Sequence, residues 1–154
     1  MRIIPTSVAG VLAACAGCSQ SPEPERVVQA FYDAFNRRDI EGVMAVHAPN
    51  VVSIASSDTM VQDSSERRRY YEMLFTVLPR MRLEVRERRV DGRTVVDELL
   101  IRDGGCGQVQ TGVVTYEVVD GRIRSVTEPP VTEQTEAFSI VPGVHVSCPV
   151  SSTR

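Results

Sequence analysis

Two adjacent carboxylates, Asp97 and Glu98, are candidates for proton-transfer chemistry, and Tyr116 is the strongest candidate for a pocket hydroxyl. They lie in an alternating stretch that predicts a β-strand, so one side chain faces the interior and the other faces solvent. An inward carboxylate is costly unless it is paired, and Tyr116 or an arginine is the expected partner. A carboxyl group in apolar surroundings has a raised pKa and could then exchange a proton near neutral pH.

Two histidines and a second tyrosine add to this set of polar groups. His47 ends a short helical pattern and is expected to pack or to cap rather than to act as a base. His145 belongs to the C-terminal tail and is expected to be exposed. Tyr32 flanks the apolar face of the first predicted helix, where we expect it to pack with its hydroxyl at the rim. The spacing does not favour a pair between either histidine and Asp33 or Asp97.

The N-terminus carries a third kind of chemistry, that of an acylated thiol. The twelve-residue apolar run Ile3–Ala14 is too short for a lasting transmembrane helix, which needs about 20 residues, and therefore predicts a signal peptide. The run ends in LAAC, which resembles the bacterial lipoprotein signal. We therefore expect lipid attachment at Cys15; attachment at Cys18 and an ordinary secretory signal are the alternatives.

These features predict four segments. Residues 1–14 are the signal peptide, 15–24 a lipidated tether, 25–130 the folded domain and 131–154 a C-terminal tail. The tether is small, polar and proline-rich and spans roughly 30 Å at most. We expect an exported protein of the bacterial cell envelope, with the membrane as a partner through the lipid.

Export would permit the remaining cysteines to pair. Cys106 lies in a glycine-rich turn and Cys148 in the tail, and a disulfide between them would close a loop of about 43 residues, worth about 4 kcal/mol. Two free thiols, or pairing with Cys18, are the alternatives. The sequence has no C-x-x-C motif and no histidine cluster, so we expect neither a metal nor a cofactor.

Composition sets the class of protein. With 154 residues, 42% of them hydrophobic and 24% charged, the chain is expected to form one globular domain. The net charge of −3 argues against a nucleic-acid partner. All 17 basic residues are arginine, which is typical of a biased genome more than of anion recognition.

The elements that would position these groups begin with two helices. Apolar residues at helical spacing predict a buried face on the first helix, formed by Val27, Phe31, Ala34 and Phe35. The opposite face is predicted to be wet and carries Gln29, Asp33 and Asn36. Asp39 is expected to cap a second helix that ends before Pro49.

A strand, a loop and a third helix are predicted next. The letters VVSIAS predict an edge strand, and SDTMVQ predicts a polar loop. Asp63 and Glu66 have the spacing of a capping box for the third helix. Its predicted buried stripe consists of Tyr70, Leu74, Val77 and Leu78. Arg67, Arg68 and Arg69 are predicted to face solvent.

The second half of the chain has the period of strands. Turns at Asp91-Gly92 and Asp120-Gly121 predict two hairpins and hence four antiparallel strands in series. The letters GVHVSCPV in the tail predict a further short edge strand.

Three stretches together, AFNRRDIEGVMAV, HAPNVV and VVDGRIRSV, resemble the nuclear transport factor 2-like superfamily and its SnoaL-like branch over residues 25–128. The resemblance implies an α+β fold: a cone-shaped half-barrel with three N-terminal helices packed on a curved antiparallel sheet. It also implies an apolar pocket at the mouth of the cone and a homodimer through the sheet. Members include polyketide cyclases, ketosteroid isomerases, dehydratases and epoxide hydrolases, besides domains that bind without catalysis.

The resemblance also implies where ionisable groups would lie. The positions at which the steroid isomerases carry them hold Phe31, Ala55, and Val113 or Val114, which are all apolar, so that chemistry is not expected. We expect binding of a small apolar ligand or a protein partner without catalysis, and we assign no catalytic residue. The alternative is an isomerase, dehydratase or cyclase of a hydrophobic molecule. The residues expected to line the pocket are Phe31, Tyr32, Phe35, Val114, Tyr116 and Glu98.

Overall fold

The computed structural model describes residues 22–55, 58–103 and 109–128. Cys15, Cys18, Cys106, Cys148, His145 and the predicted tail strand lie outside these ranges. The helices are α1 (Pro24–Arg37), α2 (Ile40–Ala45) and α3 (Ser64–Val77). The strands are β1 (His47–Ala55), β2 (Asp58–Gln62), β3 (Arg82–Asp91), β4 (Thr94–Arg102), β5 (Gln110–Val119) and β6 (Arg122–Glu128).

The six strands form one curved, unclosed sheet in the order β2-β1-β6-β5-β4-β3. Neighbouring strands are antiparallel except for β1 and β6, which are parallel. The helices pack on one face of this sheet, which confirms the predicted α+β class. Within the described ranges, no helix combines the length and the apolar character needed to cross a bilayer.

α1 begins with Pro24 in its first turn and ends where Arg38 adopts a left-handed conformation, with φ of 62°. Its apolar face is buried as predicted, with Phe31 and Phe35 no more than 1% exposed. Asn36, predicted to be wet, is instead half-buried and holds the helix to β3. Its amide donates to Leu83 O at 2.8 Å and its Oδ1 accepts from Leu83 N at 3.0 Å.

A sharp corner joins α1 to α2, and Asp39 forms it. As predicted, its side chain caps α2 by accepting from Gly42 N at 2.9 Å. α2 ends at Ala45, earlier than predicted, and His47 already belongs to β1. The register of β1 against β6 shifts between His47 and Val52, the stretch that holds Pro49, which has no N–H for a sheet bond.

The predicted loop SDTMVQ is wrong, because Asp58–Gln62 forms strand β2. β2 is the edge of the sheet, so β1 is a second strand and not the predicted edge partner. Polar residues in β2 suggested a loop, but an edge strand has one face and one side open to water. Its Val61 is 62% exposed, in keeping with that position.

The two hairpins form the predicted meander of β3 to β6. Asp120 and Gly121 both have positive φ, of 52° and 72°, as a two-residue hairpin turn requires. In the first hairpin Asp91 still pairs with Thr94, so the loop is Gly92-Arg93 and not the predicted Asp91-Gly92. The two residues of this turn therefore lie one position later in the chain than predicted.

α3 begins with the predicted capping box, in which Asp63 accepts from Ser65 N and Glu66 N. Its buried face is rotated from the prediction. Tyr71 and Leu74 are buried, whereas Val77 is 64% exposed. Tyr70 and Leu78 are half-buried.

Arg67 contradicts the prediction that all three arginines of α3 face solvent. It is 2% exposed, and its guanidinium donates to Ala48 O at 2.9 Å and Gln62 O at 2.8 Å. The carbonyls near the start of β1 and at the end of β2 attract this donor, so it ties α3 to the edge of the sheet. Arg69 is exposed as predicted.

Candidate functional site

Aromatic rings occupy the interior between the helices and the sheet, which we call the cone interior. Phe31 lies at its centre, with ring centroids of Tyr32, Phe35, Tyr71 and Tyr116 between 5.3 and 6.2 Å from its own. These rings come from α1, α3 and β5, so they span the space from helix to strand. Such tilted and edge-on contacts are those of a packed core.

An ion pair is embedded beside these rings. Asp97 on β4 is fully buried, and Arg88 on β3 binds both of its oxygens, with Nε to Oδ1 at 2.7 Å and Nη2 to Oδ2 at 2.8 Å. The same guanidinium reaches α1, where it donates to Glu25 O at 3.2 Å and Gln29 Oε1 at 3.3 Å. The bidentate bond to Asp97 raises the pKa of Arg88.

Two phenols lie next to this ion pair. The hydroxyl of Tyr32 donates to that of Tyr116 at 2.9 Å, and both side chains are no more than 1% exposed. The hydroxyl of Tyr32 is therefore inside the core and not at the predicted rim. Burial raises the pKa of Tyr32 and of Tyr116 far above the usual range, and Asp97 raises both further. The phenols stay neutral and act only as hydrogen-bonding groups.

His47 is packed, as the sequence suggested. It is 3% exposed, its ring meets that of Phe31 edge-on at 5.3 Å, and its Nδ1 lies 2.7 Å from Val43 O. Burial, reinforced by the charge of Arg67, lowers the pKa of His47 to about 4. The neutral ring donates from Nδ1 to the Val43 carbonyl. Such a histidine is a structural residue at neutral pH.

The predicted pocket residues fall into two groups. Five of them are buried in the cone interior: Phe31, Tyr32, Phe35, Val114 and Tyr116. Glu98 is not with them, because the alternation of β4 places its side chain on the opposite face of the sheet. There it is 38% exposed and pairs with Arg86 at 2.9 Å. Asp97 is the inward carboxylate of the pair.

An open cleft of about 410 Å³ lies outside the cone interior, between α2, the start of α3, β1 and β6. Its walls combine aliphatic, hydroxyl and cationic groups. The lining residues are Met44, His47, Pro49, Ser64, Ser65, Arg68 and Arg122. Sequence reasoning did not predict this cleft, since its residues are scattered over four elements.

Three further polar residues of the interior were also missed. Arg88 appeared as one arginine in a charged strand, and only the pairing of β3 with β4 brings it opposite Asp97. Arg67 is described above. Among the described residues, the amide of Gln110, 3% exposed at the start of β5, has no hydrogen-bond partner for its nitrogen or its oxygen. A polar residue at an inward position of the strand alternation was the available signal for Gln110.

Within residues 22–55, 58–103 and 109–128, no three His, Cys, Asp or Glu side chains come together as metal ligands would. Asp97 is instead bound by Arg88 and Tyr32 by Tyr116, while Arg67 and His47 are bonded to backbone carbonyls. The arrangement can hold α1, β3, β4 and β5 together, but Asp97 and the two phenols are covered by protein.

Comparison with known proteins agrees with this architecture. The sequence model of the SnoaL-like domain matches residues 28–126. A cystatin-fold protein of Novosphingobium aromaticivorans superimposes with a TM-score of 0.62 at 15% identity, over 70% of this chain and 97% of that one. A proposed polyketide cyclase of Sinorhizobium meliloti gives 0.60 at 19%, over 67% and 93%. A proposed ketosteroid isomerase of Kribbella flavida gives 0.60 at 23%, over 85% and 93%. The comparison with curated proteins gave no match.

Proposed function

Because the chain belongs to the SnoaL-like domain family, we propose that it is a lipid-anchored envelope protein that binds a protein partner or a small apolar ligand without catalysis. The observation that carries this proposal is the packing in the cone interior, where the ring of Phe31 contacts those of Phe35, Tyr71 and Tyr116. Between the two kinds of ligand, this packing of aromatic rings favours a protein partner.

The state of the ionisable groups supports binding over turnover. A general acid or base must come within hydrogen-bond reach of its substrate. Both oxygens of Asp97 accept hydrogen bonds from Arg88, and the hydroxyl of Tyr32 donates its hydrogen bond to Tyr116. Neutral His47 uses its Nδ1 proton on a backbone carbonyl. Each group would have to give up a buried partner before it could serve a reaction.

The outer face of the sheet is the surface that we propose for the partner. It presents aliphatic side chains between the inward positions of the strands: Val52, Ile54, Val96, Leu100 and Val113. A second copy of the chain is the partner that we expect there, in line with the resemblance. Val113 is 43% exposed, so Val113→Glu should leave the fold intact and turn a dimer into a monomer in light scattering. A monomeric wild type would contradict this.

The enzyme remains a second candidate, favoured by one observation. A buried carboxylate, Asp97, lies beside two phenols, and such a group could move a proton if Arg88 withdrew. The similar structures include a proposed cyclase and a proposed isomerase, which fit this candidate about as well. Likeness at these identities supports the fold alone.

A pair of matched variants separates the two candidates. Purified protein is incubated with a β,γ-unsaturated steroid ketone, and formation of the conjugated enone is followed by absorbance. If the protein binds without catalysis, the enone should form at the same rate as in buffer alone. A faster rate that falls in Asp97→Asn but survives in Glu98→Gln would establish the enzyme, because the second carboxylate faces away from the interior.

The anchor is tested separately, by incorporation of radiolabelled palmitate in cells. We expect label in the wild type and none in Cys15→Ser. Label that persists in Cys15→Ser and is lost in Cys18→Ser would assign the lipid attachment to Cys18 in place of Cys15. An unlabelled wild type would contradict lipid anchoring.

A further inference from the structure

The cleft described above lies at the end of the sheet that carries the turns Gly92-Arg93 and Asp120-Gly121, which we call the hairpin end. Arg122 follows the second turn directly and forms part of the cleft wall. One of its N–H groups donates to His47 O at 3.2 Å, which fixes the guanidinium in place. No carboxylate of the described residues forms an ion pair with Arg122, and its side chain lines the cleft.

The other charged and polar groups of the cleft already have partners within the protein. Arg68 is held by Glu41 through two bonds of 2.7 and 2.9 Å. At the start of α3, the N–H groups of Ser65 and Glu66 both donate to the Asp63 carboxylate. His47 is neutral at physiological pH. The available donor is therefore Arg122, beside the apolar walls of Met44 and Pro49 and two serine hydroxyls.

The tether reaches the domain at the same end. Pro22, the first described residue, lies against the second turn: a Cβ added to Gly121 would approach Pro22 Cδ to 2.8 Å. The seven Cα–Cα steps from Cys15 to Pro22 span at most about 25 Å when fully extended. A lipid on Cys15 would therefore hold the hairpin end, and Arg122 with it, close to the membrane surface.

We propose that this cleft binds the phosphate of an anionic phospholipid headgroup, with Arg122 as its principal donor. The inference rests on the proposed lipid anchoring, which would present headgroups to the cleft at high local concentration. A guanidinium matches phosphate oxygens in charge and in geometry. Asp120 in the adjacent turn offsets part of the positive charge of Arg122. The headgroup would therefore be bound in the cleft and not by a broad basic patch.

The test uses the full chain with Cys15→Ser and Cys18→Ser, so that no acyl chain contributes. Its binding to phosphatidylcholine vesicles is compared with binding to vesicles that also contain phosphatidylglycerol, by co-sedimentation. We expect Arg122→Gln to weaken binding to the anionic vesicles about fivefold, the effect of one arginine near such a surface. Arg80→Gln is the matched control, since Arg80 is exposed at the opposite end of the sheet. Thermal unfolding confirms that both variants fold.

Three outcomes would overturn the proposal. Equal binding to both kinds of vesicle would show that the anionic lipid is not the ligand. Equal losses in the two variants would show that the effect comes from the net charge of the protein and not from the position of Arg122. Displacement by inorganic phosphate at the concentration of lipid phosphate would reassign the cleft to a free phosphate ester. None of these depends on acylation, so the failure of the cleft and the failure of the anchor, read by palmitate, remain distinguishable.

Discussion

The buried guanidinium of Arg67 illustrates how single residues hold this domain together. It supplies two hydrogen bonds to carbonyls of neighbouring elements, although burial lowers its pKa and its Nε has no partner. A buried cation without a carboxylate is costly and is kept only where its donors are needed. Here they satisfy the backbone at the edge of the sheet.

Replacement of Arg67 by lysine should therefore be costly. A single ammonium cannot reach both Ala48 O and Gln62 O in this geometry, and one carbonyl is left unpaired. We expect a loss of about 1 to 3 kcal/mol in the free energy of unfolding, measured with urea. Arg69→Lys, two residues on and exposed, is the control and should change it by less than about 0.5 kcal/mol. Equal effects would mean that Arg67 faces solvent.

His47 predicts a dependence of stability on pH. Its pKa is about 4 in the fold and near 6.5 when unfolded, so the unfolded chain binds more protons between these values. Stability from this residue is complete above pH 6.5 and falls as the pH drops towards 4, by on the order of 3 kcal/mol. In His47→Phe the decline between pH 6.5 and 4 should be smaller by that amount. An unchanged decline would contradict a buried neutral imidazole.

The sequence predicted the chemistry of single residues better than their partners. Phe31 and Phe35 could be placed in the core because helical spacing marks them. The sequence limited the inward carboxylate to Asp97 or Glu98. Alternation puts these two side chains on opposite faces of the strand but does not say which face is buried, so the choice needed the register of β4. Arg88 and Arg67 could not be found, since the partner of a long charged side chain depends on contacts distant in sequence.

The corner between α1 and α2 shows how an element depends on one small residue. Gly42 lies in the first turn of α2, where a Cβ would come within 2.5 Å of Asp39 Oδ2 and 2.9 Å of Ala34 Cβ. The same Asp39 carboxylate caps the helix. The close packing of the two helices therefore requires glycine at this position.

Gly42→Ala should lower the melting temperature, although alanine is ordinarily better than glycine in a helix by about 1 kcal/mol. The added methyl group must displace the capping carboxylate or part the helices. Gly112→Ala is the matched control, because its Cβ would meet only Ile101 Cδ1, at an ordinary 3.6 Å. A stabilised Gly42→Ala protein, by calorimetry, would show that the corner is looser than described.

Prediction of the elements succeeded where local signals are strong. The capping residues Asp39 and Asp63 and the turn Asp120-Gly121 stand where the sequence placed them. It failed at β2, whose polar residues suit an exposed edge as well as a loop. The burial of α3 was also rotated, because the residues that contact β1 and β2 could not be known before β2 was recognised.

At the scale of the molecule, the described residues form a sheet with helices on one side and aromatic rings packed between the two. Its α+β class followed from the order of helices and strands, and the family match agrees with it. Whether the cone holds a cavity could not be predicted, since that depends on how rings from α1, α3 and β5 meet. The contacts of Phe31 with these rings are the basis on which we propose binding in place of turnover.

The stability of Phe31→Ala tests this packed interior most directly. If the rings fill the cone, removal of this one leaves a cavity, and the free energy of unfolding should fall by about 3 to 5 kcal/mol. Added benzene should bind the variant and restore part of the loss, with no effect on the wild type. Val77→Ala, 64% exposed on α3, is the control and should change little. A Phe31→Ala protein as stable as the wild type, or benzene binding by the wild type itself, would contradict the account.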